Sequence, residues 1–232
     1  MSTENLDQAQ AAIIAWKNIR TDENTLANLF SKGAYFEITR DSYNTWKAKN
    51  PQFLHAYLGN YNNQLTLYGV DNITDQEPVE GHEAYFNAMI KISPYEPSNF
   101  PNPVFDNTIP AGGGTPELSP EMALERTTRW LLYRDSWLHL NATADKMTRV
   151  LLIPFNDLET IFNESETISS AITLFALKGQ DNTEQPPYQM EFILWGYNGE
   201  EIEAWLPKDI VQPCPPFTNH NNFQLLIYSG GF

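Results

Sequence analysis

The chain has 232 residues, 41% of them hydrophobic and 19% charged, which suffices for the core of one large or two small domains and excludes disorder throughout. Lysine and arginine number 14 against 29 acidic residues; a net charge of −15 repels nucleic acid and anionic lipid, and it attracts basic partners or serves solubility alone. One cysteine, Cys214, excludes an intrachain disulfide, and no apolar run is long enough to cross a membrane.

Met1–Asp7 is polar and acidic, without the basic and apolar regions of a secretory signal, so a cytoplasmic protein is expected. Leu6, Ala9, Ile13, Trp16 and Arg20 recur at three- and four-residue steps and predict a helix that Thr21–Asn24 ends. A strand is expected over Gly33–Thr39 and a short helix over Asp41–Lys49, with Tyr43 and Trp46 inward. His55–Asn60 and Asn63–Asp71 read as a hairpin, and Glu83–Lys91 as another short helix. Residues 94–120 carry seven prolines and Gly112-Gly-Gly114, the composition of a linker between a first unit, 1–93, and a second, 121–232.

Ser119-Pro-Glu121 announces a helix through an N-cap serine, a first-turn proline and an early acid. Its inward stripe is read as Ala123, Thr127, Trp130, Leu131, Arg134, Trp137 and Leu138. Arg149–Ile153 predicts a strand, and Asn156-Asp-Leu-Glu159 has the spacing of a capping box. Ile172–Leu177 and Glu191–Tyr197 form a second hairpin, and Asn222–Tyr228 reads as a final strand.

The two units match in order. Trp16 and Arg20 correspond to Trp130 and Arg134, Ala34–Asp41 to Val150–Asp157, Trp46 to Phe162, and Leu65–Gly69 to Phe192–Gly196. The expected fold is α+β, built from two diverged helix-strand-helix-strand-strand repeats with largely antiparallel sheet and a pseudo-two-fold relation. Each tryptophan–arginine pair shares one helical face, so the indole fills core and the arginine reaches a carboxylate or carbonyl at its edge. The alternative makes Arg20 and Arg134 ligand-binding groups.

Asp209-Ile-Val-Gln-Pro-Cys-Pro-Pro-Phe-Thr218 resembles the ending of an uncharacterised family of small Bacteroidetes proteins, in which the unit closes on Pro-Cys-Pro-Pro-x-Cys. The likeness spans roughly residues 122–218, with 8–72 as a weaker copy. Thr218 stands where the second cysteine would be, so a paired thiol is not implied, and the resemblance carries no activity.

The sequence carries few signatures of chemistry. His55, His82, His139 and His220 stand in no metal-binding spacing, so neither a metal nor a cofactor is expected. Gly112-Gly-Gly114 lacks the lysine of a phosphate loop, and Asp71-Asn-Ile-Thr-Asp75 lacks the spacing of a calcium loop. The prolines around Cys214 suit a rigid, inert setting. The expected function is a non-catalytic acidic interaction protein, an immunity-like or regulatory partner of a basic protein. Its candidate contact residues are Glu200, Glu201, Glu203 and Trp205. The alternative is a hydrolase working through scattered carboxylates, with or without a metal.

Overall fold

The computed structural model describes residues 4–33, 35–79, 85, 88–92, 118–144, 146–179, 188–199, 212–214 and 222–230. Helix α1 (Glu4–Ile19) is followed by α2 (Glu23–Ser31), β1 (Tyr35–Thr39), α3 (Arg40–Lys47), β2 (Phe53–Tyr61) and β3 (Gln64–Asp71). A 3-10 turn (Thr74–Gln76) and a short β4 (Ile90–Ile92) come next. The second half holds α4 (Pro120–Thr143), β5 (Val150–Pro154), α5 (Phe155–Glu164), β6 (Ser170–Gly179), β7 (Tyr188–Tyr197), β8 (Gln212–Cys214) and α6 (Gln224–Tyr228). The fold is α+β with two antiparallel sheets.

Both sheets draw strands from both halves. One runs β1-β6-β7 and the other β4-β3-β2-β5-β8. β1 thus leaves its own hairpin and pairs with β6, Thr39 opposite Ser170, while β5 pairs with β2, Pro154 opposite Phe53. The larger sheet is buried on both faces. Leu54, Ala56, Leu58, Leu65, Leu67, Leu151 and Ile153 turn one face into a central core shared with Phe36, Phe175 and Phe192 of the smaller sheet. Tyr57, Tyr68 and Val70 turn the other face toward α1 and α6, against Ala9, Ala12, Ile13, Leu225 and Leu226. Such alternation is the two-residue period of a strand read from its two sides.

Two glycines set how closely the layers approach. A Cβ on Gly69 would lie 2.8 Å from the Trp46 ring, and one on Gly59 would lie 2.9 Å from the Ala12 Cβ on α1. The hairpin between β2 and β3 turns on Asn62 and Asn63, both at positive φ, the pair of left-handed residues that a tight turn of the sheet's own twist requires.

Several expectations need correction. Thr21–Asn24 does stop α1, but it also starts α2, because Asp22 accepts hydrogen bonds from the backbone N–H groups of Asn24 and Thr25. Those bonds hold the Asp22 carboxyl below its usual range, with the Thr25 hydroxyl, at 2.7 Å, as the first cause. The capping box at Asn156 does not form: α5 begins one residue earlier, at Phe155, with no side-chain cap. The strand expected over Asn222–Tyr228 does not form; Gln224–Tyr228 is helical as α6, and it seals the second core with Leu225 and Leu226. Leu131, expected on the inward stripe of α4, is exposed, and Arg126 takes an inward place instead. Of the helix expected over residues 83–91, Tyr85 and Ala88 are helical, and Ile90 already opens β4. Residues 94–117 of the linker lie outside the described residues.

Candidate functional site

The densest gathering of polar side chains lies between the larger sheet, the 3-10 turn and α6. Strand β2 sends His55 and Tyr57 to the same face, two residues apart. The turn after β3 brings Asp75 under them, fully buried. Asp75 Oδ2 lies 2.6 Å from His55 Nδ1 and accepts the Tyr57 hydroxyl. Its Oδ1 accepts the Tyr85 hydroxyl and, at 3.1 Å, the backbone N–H of Leu225 at the start of α6. Phe223 covers the His55 ring with centroids 4.9 Å apart.

This carboxylate is saturated. A carboxylate offers about four lone-pair positions, and four partners occupy them. Burial first, and the adjacent Asp75 charge second, push the Tyr85 hydroxyl far above the ordinary tyrosine range. The cluster therefore acts as a clamp, tying β2, the turn, Tyr85 and α6 to one anion. Asp71 supports it from the turn: it accepts from Thr74 N–H at 2.9 Å and Thr74 Oγ1 at 2.7 Å, and Lys49 Nζ stands 3.5 Å from its carboxylate. In the sequence Asp71 and Asp75 read only as a failed calcium loop and His55 as a strand histidine. The i, i+2 spacing of His55 and Tyr57 was the one signal that they share a face.

A second buried pair joins α4 to the smaller sheet. Arg126 Nη1 lies 3.2 Å from Glu191 Oε1, with both side chains buried beside Ala123, Ile193 and Trp195.

The expected contact residues fall in different places. Glu200, Glu201, Glu203 and Trp205 lie outside the described residues. Arg20 is buried at the end of α1, where its backbone N–H bonds Trp16 O at 3.0 Å. Arg134 sits at the core edge on α4: Nη1 donates to Phe30 O at 3.2 Å and Nε to Asp135 Oδ1 at 3.0 Å. Their tryptophans meet through one residue. Phe30 places its ring 6.3 Å from Trp16 and 5.3 Å from Trp130, both edge-on. His139 Nδ1 contacts Glu23 Oε2 at 2.7 Å in an exposed pair.

Among the described residues, no group of three or more His, Cys, Asp or Glu side chains is placed to hold a metal ion, and no helix is long and apolar enough to cross a membrane. No family model, curated protein or solved structure matches the chain.

Proposed function

We propose that this chain is a non-catalytic acidic interaction protein, an immunity-like or regulatory partner of a basic protein in the cytoplasm. The observation that carries this reading is the excess of 29 acidic over 14 basic residues, with largely covered arginines beside exposed carboxylates on one helix. Arg20 and Arg126 are buried, and the side chains of Arg129 and Arg134 are only 11% and 21% exposed. Their carboxylate neighbours Glu125 and Asp135 are 60% and 73% exposed. Four carboxylates, Asp71, Asp75, Asp157 and Glu191, are buried as well, but 29 acidic against 14 basic residues leave carboxylates in excess outside, so a chain of net charge −15 presents that charge to its surroundings. The hydrolase alternative asks for open, convergent carboxylates. The best convergence described, around Asp75, is filled by its own donors.

Glu200, Glu201, Glu203 and Trp205 extend this acidic surface in our reading. The test is association with immobilised polylysine and polyglutamate across a salt series. Polylysine should bind with a rate that falls steeply with salt, and reversing the three glutamates to lysine should slow it. Equal behaviour on the two polymers removes the reading.

We further infer that the chain descends from one duplicated unit, with the copies related by a pseudo-two-fold axis, as the resemblance at residues 122–218 also suggests. The support is reciprocity: each half lends its single strand to the hairpin of the other, the last residue of the strand opposite the first of the hairpin. In that frame Tyr35–Thr39 corresponds to Val150–Pro154, one residue from the match by sequence, and Phe36 and Ile38 fall on Leu151 and Ile153, all in the central core. A one-residue slip would turn every side chain to the wrong face. The shared glycines do not survive, because Gly69 then falls on Leu194. A crystal structure with β1 and β5 each paired inside its own half would refute the duplication.

A further inference from the structure

Among the described residues, helix α4 keeps an outer face largely exposed, with the His139–Glu23 pair toward its end. Its inner side is spent: Ala123 and Arg126 meet the smaller sheet, and Trp130, Trp137, Leu138 and Ala142 enter the central core. Leu132, 70% exposed, points the other way, and Leu124 and Leu131, the latter 66% exposed, flank it on the azimuth that Leu138 and Ala142 carry into the core only nearer the end of the helix. At 100° per residue these three share one side of the helix with Glu121, Glu125 and Asp135. Leu124 and Leu131 stand one heptad apart, the spacing at which a second helix lays its side chains. Leucines exposed this far leave apolar area in water, and a cluster of them on one face marks a contact surface.

The charges around these leucines say what would cover them. Glu125 is held by Arg129 at 2.5 Å and Asp135 by Arg134 at 3.0 Å, and in each pair the cation is tucked in while the anion faces out. Glu121 adds a third carboxylate, held in its charged form by backbone and Ser119 hydrogen bonds at the helix start. The face thus alternates leucine with outward carboxylate. An anionic lipid surface would be repelled, and so would a second copy of a chain at −15.

We propose that the outer face of α4 docks a basic amphipathic helix of a protein partner. Its apolar side chains cover Leu124, Leu131 and Leu132, and its lysines or arginines meet Glu121, Glu125 and Asp135. The proposal rests on the basic-partner reading above and adds the surface and the form of the partner. Binding of this kind reads the apolar anchors at helical spacing, and charge supplies rate and orientation.

The test uses two fluorescent peptides of leucine and lysine only, equal in composition, one patterned as an amphipathic helix and one scrambled. Binding to the full chain is followed by anisotropy at several ionic strengths. The wild-type chain should bind the patterned peptide about tenfold or more tighter than the scrambled one, the scale of losing a few anchor contacts. The triple variant Leu124→Ser, Leu131→Ser, Leu132→Ser should lose that preference and keep the weak, salt-dependent binding of both peptides. If the triple variant does not fold, Leu132→Ser alone should lower the preference in the same direction. A folded variant that keeps the wild-type preference overturns the α4 assignment and leaves the basic-partner reading standing. Absence of salt-dependent binding to either peptide overturns both. A wild-type dimer in sedimentation that the serine variant dissolves assigns the face to a second copy and overturns the proposal.

Discussion

Replacing Asp75 by alanine tests whether the buried carboxylate is the clamp we describe. The substitution leaves four donors without their acceptor: the His55 ring, the Tyr57 and Tyr85 hydroxyls, and the Leu225 N–H. A buried donor left unpaired costs about 1–3 kcal/mol, and the hydroxyls can turn to one another or to water entering the space of the lost carboxylate. Taking the low end for each, Asp75→Ala should destabilise by about 4 kcal/mol, a large share of the roughly 5–15 kcal/mol that holds a folded protein. Asp75→Asn keeps one acceptor oxygen and turns an amide against the remaining donors. The tyrosines can rotate to accept from it, so the loss should be smaller, about 1–2 kcal/mol. Tyr57→Phe and Tyr85→Phe remove one donor each and should cost about 1 kcal/mol. Urea unfolding followed by tryptophan fluorescence gives the values, and amide exchange at Leu225 should speed up in Asp75→Ala because α6 loses its anchor. An alanine variant within about 1 kcal/mol of wild type, with Leu225 still protected, would refute the clamp.

The remaining expectations concern packing and pH. Gly69→Ala should cost about 1–3 kcal/mol in the same urea titration, because its Cβ would press on the Trp46 ring, whose Nε1 is fixed by Ala88 O at 2.7 Å. Trp16→Ala and Trp130→Ala should each cost about 3–5 kcal/mol by calorimetry, and Arg134→Ala less; an Arg134→Ala chain that kept its Tm but lost polylysine binding would make that arginine a contact residue. Burial pushes the Tyr68 hydroxyl from about 10 up to about 12, so the folded chain holds a proton that the unfolded chain has released. The contribution of Tyr68 should therefore be full below pH 10 and fall as pH rises from 10 to 12, by up to about 1.4 kcal/mol per pH unit for each such proton. Tyr85 is displaced in the same direction and adds to the fall. Tyr68→Phe should lessen the slope, and an unchanged slope would rule the residue out.

What was legible in the sequence is what local physics decides. The Ser119 cap, the Tyr43 and Trp46 face of α3 and the two hairpins follow from spacing, capping and turn chemistry within a few residues, and each stands in the structure. The composition likewise shows the −15 charge, whatever the fold. Tertiary structure alone decided the rest. A short apolar run such as Phe223–Tyr228 suits a strand or a buried helix equally, and the choice fell to the segment that could cap the second core and donate Leu225 N–H to Asp75. The exchange of β1 and β5 between sheets joins residues more than 90 positions apart, a distance at which no periodicity speaks. Asp75, His55, Tyr57 and Tyr85 are unremarkable in the sequence because a carboxylate clamp is defined by lone pairs converging in space, and only the folded backbone brings four donors to one anion.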